Sequence, residues 1–121
     1  MKILIVDDSK VMRSIVRRGL REAGYGQADV LEAVNGADAL AKVGAYQPDL
    51  ILCDWNMPEM TGIDFLVALR EKGDSTPFGF VTSEGSVSMR ERATQGGAAF
   101  LLAKPFTPDD LGQRVKEAIA A

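Results

Sequence analysis

The chain has 121 residues, 46% of them hydrophobic and 26% charged, with a formal net charge of -3, a composition that suits one globular domain and excludes extended disorder. This acidic balance offers no basic surface for nucleic acid, and no apolar run reaches the length of a membrane span. The absence of histidine excludes imidazole zinc sites and Ser-His triads. We therefore expect a single cytoplasmic domain over residues 1–121 that contacts neither nucleic acid nor membrane.

The first strand and helix are predicted from a change of hydrophobic period. Lys2 to Val6 is an apolar, β-branched run that stops at Asp7 and Asp8, which predicts a strand ending in two acids. Ser9 is a suitable N-cap for the next helix, and Gly24 a suitable end. The predicted apolar face of this helix consists of Met12, Ile15, Val16, Gly19, Leu20 and Ala23. The arginines of this helix fall mostly elsewhere around it and are interpreted as a solvated or partner-selecting face: Arg13, Arg17, Arg18 and Arg21.

The second and third strands end in different kinds of residue. Val30 to Val34 predicts a second strand, and Asn35-Gly36 opens a second helix. Leu50 to Cys53 is a short apolar run between prolines, which is typical of a strand covered on both faces of a parallel sheet. Asp54 stands where that strand must end, so it is either a reactive carboxylate or an ordinary turn residue, and this segment alone favours neither. The single cysteine, Cys53, is expected to have a packing role.

The remaining elements continue the same alternation. Thr61 caps a third helix that Gly73 ends, and a fourth strand runs from Phe78 to Val81. A helix over Ser86 to Gln95 has only a thin apolar stripe, which predicts low local stability and movement there. A fifth strand, Ala99 to Ala103, leads to Lys104. The last helix begins with Thr107 as its cap and Pro108 at its first position.

Strand and helix therefore alternate five times. Right-handed crossovers place helices on both faces of the sheet, which predicts a doubly wound α/β fold in three layers. For this length, we expect the flavodoxin-like parallel five-stranded sheet with strand order 2-1-3-4-5.

Polar residues stand at the ends of four of the five strands. Asp7 and Asp8 end the first strand, Asp54 the third, Thr82 the fourth and Lys104 the fifth. Because the carboxyl ends of parallel strands meet at one edge of the sheet, these side chains are expected to converge there. Each has an ordinary explanation when taken alone, and their joint placement favours a functional site.

This set of groups suits phosphoryl transfer. Three neighbouring carboxylates repel one another unless a cation is present, and oxygen ligands without histidine or thiolate favour magnesium over zinc. Lys104 and the Thr82 hydroxyl can each contact a phosphate oxygen. Asp54 is the best candidate nucleophile because it is central, and its attack on phosphorus would give an aspartyl phosphate.

The whole chain resembles a known family in its motifs and in their spacing. The motifs are Asp7-Asp8, Asp54-Trp55-Asn56-Met57-Pro58, Thr82 and Lys104-Pro105-Phe106. They resemble the motifs of two-component response regulator receiver domains, and most of all those of the single-domain chemotaxis regulators.

The resemblance implies a role for each matching residue. Asp54 would be the phosphoacceptor, and Thr82 and Lys104 would hold the phosphoryl oxygens. The implied ligands of Mg2+ are Asp7, partly through water, Asp8, Asp54 and the backbone carbonyl of Asn56. The family also implies a cis peptide bond between Lys104 and Pro105.

The resemblance also implies partners. A sensor histidine kinase would donate the phosphoryl group, and the chain would act as a phosphoacceptor that promotes its own phosphorylation and dephosphorylation, not as an enzyme on other substrates. The signal would pass to a downstream target protein through helix 4, strand 5 and helix 5, from a monomer. The output side departs from the family pattern, because Leu101 stands where an aromatic switch residue is usual. Phe100 is one position earlier, on the opposite face of the strand, and should not replace that ring.

Two other functions are considered. A small magnesium-dependent phosphatase of the haloacid dehalogenase type uses similar groups, but its nucleophile comes after the first strand in an Asp-x-Asp pattern that Asp7-Asp8-Ser9 lacks. A phosphorylation-independent interaction module is the other alternative, although such a protein has little reason to keep all five site residues.

Overall fold

Five parallel strands form the single sheet of the computed structural model, which describes residues 1–120, so Ala121 of the predicted domain lies outside the described residues. The strands are β1 (Lys2–Val6), β2 (Asp29–Ala33), β3 (Leu50–Cys53), β4 (Phe78–Thr82) and β5 (Phe100–Ala103). Their order is β2-β1-β3-β4-β5, with β3 in the centre. The predicted fold class and strand order are thereby confirmed.

Five helices connect and cover the strands, and their starts are set by side-chain caps. The helices are α1 (Lys10–Leu20), α2 (Gly36–Tyr46), α3 (Gly62–Glu71), α4 (Val87–Gly96) and α5 (Pro108–Ala120). The predicted cap Ser9 accepts a hydrogen bond from Met12 N at 3.3 Å, and Thr61 accepts one from Asp64 N at the same distance. Each such cap is worth about 1 kcal/mol of stability. A wide π-helical turn, Arg21–Tyr25, comes after α1, and its Gly24 has the positive φ of 101° that the predicted helix end requires.

The sheet separates two hydrophobic cores, and alternate strand residues enter each. Leu4, Ile51 and Leu101 face the core beneath α2, α3 and α4. Ile3, Leu52 and Leu102 face the core beneath α1 and α5. Cys53 is buried in the first core, as predicted. The period-2 alternation of a strand thus fixes which helices each strand residue contacts.

Helix α4 contributes little to the core, and helix α1 buries a different set of residues from the predicted one. Within Val87–Gly96, Ala93 is the one buried residue and Val87 is 73% exposed, so the thin stripe predicted for α4 is confirmed. In α1, Ile15 is 44% exposed, so its predicted place on the buried face is wrong. The core side of α1 is centred on Val16 and Leu20, and Ile15 lies beyond the edge of that stripe. Among residues 1–120, no helix combines the length and apolar character needed to cross a bilayer.

Candidate functional site

Three carboxylates meet where β1 and β3 end side by side. These strands are paired with Val6 opposite Cys53, and the Asp54 amide donates a hydrogen bond to Val6 O at 2.9 Å. The register therefore places Asp7 and Asp54 side by side just past the edge of the sheet, with Asp8 one residue further along the chain. Each offers a carboxylate oxygen within 4.8 Å of the other two. The structure thus gathers the predicted acidic residues into one cluster.

Lys104 brings one positive charge to this acidic cluster from the end of β5. Its Nζ lies 3.2 Å from Asp7 Oδ2 and 3.9 Å from Asp54 Oδ1. The Lys104 side chain is 11% exposed, so these charges interact with little screening by water. The peptide bond between Lys104 and Pro105 is cis, as the family resemblance implies.

Thr82 and Asn56 lie at or after the ends of different strands and differ in burial. Thr82 is the last residue of β4 and fully buried, and its hydroxyl oxygen lies 3.5 Å from the Glu84 amide. The Lys104 amide donates to Thr82 O at 2.7 Å, so the ends of β4 and β5 are joined at this point. Asn56 is exposed in the loop two residues after Asp54. Both residues lie in segments that leave the same edge of the sheet.

The Asp54 carboxylate has opposing electrostatic influences. Burial raises the pKa of its carboxyl group most, the Lys104 ammonium lowers it, and the Asp7 carboxylate raises it again. The Trp55 amide and the Thr82 hydroxyl lower it by smaller amounts. The net result is a pKa above the ordinary value of 3.8, so ionised Asp54 is held at a cost that additional positive charge would reduce.

Packing around Trp55 fixes the orientation of Asp54. The Trp55 amide donates to Asp54 Oδ1 at 2.8 Å, and the indole ring lies 4.8 Å from the Phe80 ring between their centroids. The Arg92 guanidinium of α4 lies 5.4 Å from the Trp55 ring centroid, within the range of a cation–π interaction. The loop after β3 is therefore in contact with α4, the helix with the smallest buried face.

The acidic cluster fits a divalent metal by its composition. Within residues 1–120, Lys104 is the one basic side chain within 4.0 Å of any of the three carboxylates, so negative charge is in excess. The side-chain ligand atoms that this cluster offers are all carboxylate oxygens, which Mg2+ prefers, whereas zinc sites typically include imidazole or thiolate ligands. The residues present therefore fit the magnesium expected from the sequence.

Arg13 is a site-linked residue that the sequence analysis missed. Its side chain is 11% exposed, and its Nη1 donates to the backbone oxygen of Asp7 at 2.7 Å, while Nε donates to Glu32 at 2.7 Å. The interpretation of Arg13 as part of a solvated face is wrong, because β2 places a carboxylate under this side of α1. The available signal was Glu32 itself, an acid flanked by the apolar residues Leu31 and Ala33 in β2.

Two arginines stabilise the ionised form of Glu32, so the contribution of Glu32 to the free energy of unfolding should depend on pH. Burial raises the pKa of Glu32, but hydrogen bonds from Arg17 and Arg13 outweigh it, so the pKa lies below the ordinary value of 4.5. Stability from this group is therefore full above pH 4.5 and is lost as the pH falls through the lowered pKa. We expect Glu32→Gln to reduce the free energy of unfolding by about 1 kcal/mol at pH 7, since the side chain is partly screened by water.

Urea unfolding at a series of pH values measures this effect. The difference between the native chain and Glu32→Gln should shrink as the pH falls below 4.5. Glu117→Gln is a matched control, because Glu117 is 55% exposed and lies 3.9 Å from Arg114, and it should change stability little. A Glu32→Gln effect that is the same at every pH would contradict the charge-pairing account.

Comparison with known proteins agrees with this geometry. Residues 3–116 match the response regulator receiver domain family. The chain is 37% identical to the chemotaxis protein CheY1 of Helicobacter pylori, with 96% of this chain and 94% of that protein covered. It is 39% identical to the chemotaxis protein CheY of Pseudomonas aeruginosa, with 97% and 94% covered.

Solved structures agree in fold as well as in sequence. The chemotaxis protein CheY4 of Vibrio cholerae superposes with a TM-score of 0.85 at 37% identity, over 97% of each chain. A Francisella response regulator receiver domain gives a TM-score of 0.87 at 29% identity, over 98% of this chain and 96% of that one. The matching family and relatives give no support to the phosphatase alternative. This chain belongs to the response regulator receiver domain family and is CheY-like over nearly its whole length.

Proposed function

We propose that Asp54 accepts a phosphoryl group from a phosphohistidine of a sensor histidine kinase and that this chain acts in the cytoplasm. The position of the Asp54 carboxylate supports this most: it lies among Asp7, Asp8 and Lys104 at the end of the central strand. In the transfer, an Asp54 oxygen forms a bond to phosphorus while the bond from phosphorus to the imidazole nitrogen breaks. The product is an aspartyl phosphate on this chain and a free histidine on the kinase.

Magnesium is the proposed cofactor. Asp7, Asp8, Asp54 and the backbone carbonyl of Asn56 would hold it, with Asp7 acting partly through water. When bound, Mg2+ would supply positive charge that offsets the carboxylates and the incoming phosphoryl oxygens. Without that charge, the raised pKa of Asp54 opposes the ionised form that must act as nucleophile.

Lys104 and Thr82 are proposed to hold the phosphoryl oxygens. An ammonium group has three N–H donors, and Lys104 Nζ already lies between Asp7 and Asp54, so it can contact an oxygen on phosphorus bonded to Asp54. The Thr82 hydroxyl accepts a long hydrogen bond from the Glu84 amide at 3.5 Å and lies close enough to Asp54 to lower the pKa of its carboxyl group, so it can donate to an oxygen on phosphorus bonded to Asp54. Fixed donors around the transferring group stabilise its charge, and the same groups would allow the chain to promote its own dephosphorylation.

The output surface proposed is α4, β5 and α5. Phosphorylation adds roughly one to two negative charges beside Thr82 and Lys104, and movement of these residues would be transmitted to the strands that carry them. The weak burial of α4 leaves it the helix most easily displaced. A monomer would then bind its downstream target through this surface, and the relatives named as chemotaxis proteins support a chemotactic pathway.

The output surface lacks the usual aromatic switch in this chain. Leu101 is buried against the α4 side of the sheet, while Phe100 packs on the α5 side over Gly79. Arg90 of α4 connects β5 to the loop that precedes α4. Its Nη1 donates to Leu101 O at 2.9 Å, and its Nε donates to Gly85 O at 3.3 Å. Any signal from Thr82 to this surface therefore depends on backbone movement and not on rotation of a ring at Leu101.

The fluorescence of Trp55 offers a test of this function. Trp55 is the single tryptophan and adjoins Asp54, so Mg2+ and then a small acyl phosphate should change its emission in two steps. Intact mass should show the gain of one phosphoryl group, and a chelator added beforehand should prevent it. Unchanged emission together with unchanged mass would contradict the proposal and favour a phosphorylation-independent interaction module.

A further inference from the structure

The main chain at Asp7 is fixed by contacts that do not involve its carboxylate. Its amide donates to Ala33 O at 3.1 Å, in continuation of the β1–β2 pairing. Its carbonyl oxygen accepts from Arg13 Nη1 at 2.7 Å. Asp7 is 3% exposed, so water has little access to its carbonyl oxygen, and loss of the Arg13 hydrogen bond would leave that oxygen without this partner in a buried place. Arg13 therefore holds the segment that carries two of the three cluster carboxylates.

Arg13 is itself held in place by β2. Its Nε donates to Glu32 Oε1 at 2.7 Å, and Glu32 is paired in register with Ile5 of the neighbouring strand. Arg17 donates to the other oxygen of Glu32 at 2.7 Å and to Val30 O at 3.3 Å. The Glu32 carboxylate thus spans the two arginines, but of these two only Arg13 also reaches Asp7.

We propose that Arg13 is a positioning residue for the metal site, acting through the backbone of Asp7 to set the carboxylates of Asp7 and Asp8 at ligand spacing. This inference rests on the proposed function, because it requires that the acidic cluster binds Mg2+. The planar guanidinium can donate to Asp7 and to Glu32 at once in a fixed geometry, which a lysine ammonium on a flexible stem does not reproduce. Groups that orient metal ligands typically change metal affinity by 10- to 100-fold when replaced.

The charge of Arg13 and its positioning role predict opposite changes in Mg2+ affinity when Arg13 is replaced. A positive charge near the acidic cluster repels Mg2+, so a purely electrostatic Arg13 would weaken metal binding, and its removal would strengthen it. A positioning Arg13 strengthens binding, and its removal weakens it. The neutral variant Arg13→Gln therefore separates the two roles by the sign of the change.

Calorimetric titration with Mg2+, together with Trp55 emission, tests the positioning role. We expect about tenfold weaker binding in Arg13→Lys, which keeps the charge, and weaker binding also in Arg13→Gln. Arg17→Lys is the matched control, because Arg17 contacts the same Glu32 but not Asp7. The affinity of this variant for Mg2+ should stay within about twofold of the native value.

Further readouts separate positioning from general loss of structure. The Ser9 amide donates to Asp7 Oδ1 at 2.9 Å, so its NMR resonance reports this segment and should move in Arg13→Lys but not in Arg17→Lys. Native affinity in Arg13→Lys, or tighter binding in Arg13→Gln, would overturn the inference. A native chain that takes up no Mg2+ would instead overturn the proposed function on which it rests.

Discussion

Asp54→Asn is expected to abolish covalent phosphorylation. Asparagine keeps the shape of the side chain and the oxygen that accepts from the Trp55 amide, but its amide is not a nucleophile toward phosphorus. Intact mass after treatment with Mg2+ and an acyl phosphate should show no added phosphoryl group. Retention of one phosphoryl group in this variant would contradict the assignment of Asp54.

The same substitution should make the metal-free protein more stable at neutral pH. The raised pKa of Asp54 means that the folded chain binds its proton more tightly than the unfolded chain does, so Asp54 costs stability as the pH rises above 3.8 and the full cost is reached above the raised pKa. Asparagine carries no charge and removes this cost. Urea unfolding without metal should therefore show a gain for Asp54→Asn that grows with pH over this window. A loss of stability at neutral pH would show that the carboxylate is not held at a cost.

Gly62→Ala is expected to be the most destabilising small substitution beside the site. A Cβ at Gly62 would clash with the backbone oxygen of Asp54 and would lie 2.9 Å from the Phe80 ring, so the backbone would have to move. The Gly62 amide also donates to Trp55 O at 2.8 Å, which ties the start of α3 to the loop after β3. We expect a loss of about 3 kcal/mol or more in the free energy of unfolding, together with displacement of Asp54.

Gly44→Ala provides the matched control for Gly62→Ala. Gly44 lies inside α2, and a Cβ there would meet nothing within 4 Å. Alanine in a helix interior should add about 0.5–1 kcal/mol of stability, because it restricts the unfolded chain more than glycine does. Urea unfolding monitored by circular dichroism compares both variants with the native chain. Equal midpoints for Gly62→Ala and the native chain would refute the steric argument.

The strand ends were predictable from sequence because period and topology determine them. Apolar runs that stop at Asp7, Asp54 and Lys104 are visible in the sequence, and a parallel sheet brings their ends together without further information. The assignment of Leu101 and Phe100 to opposite faces also results from the strand period, and the structure places them in different cores.

Side-chain partners across elements were not predictable in the same way. The helical period places Arg13 outside the apolar face of α1, but it does not show that Glu32 of β2 lies against that surface. Ile15 presents the opposite case, since an apolar residue at helical spacing is exposed when the buried stripe is narrower than the pattern. The close contact of Phe100 with Gly79 likewise depends on strand register, which hydrophobic pattern alone leaves open.

The location of the phosphoryl group in the native chain tests the central claim most directly. The protein would be treated with Mg2+ and an acyl phosphate, digested under acidic conditions that preserve acyl phosphates, and the modified peptide identified by mass spectrometry. We predict one phosphoryl group, formed only when Mg2+ is present, on the peptide that contains Asp54. A phosphoryl group on the peptide that contains Asp7, or equal labelling in the presence of a chelator, would contradict the account.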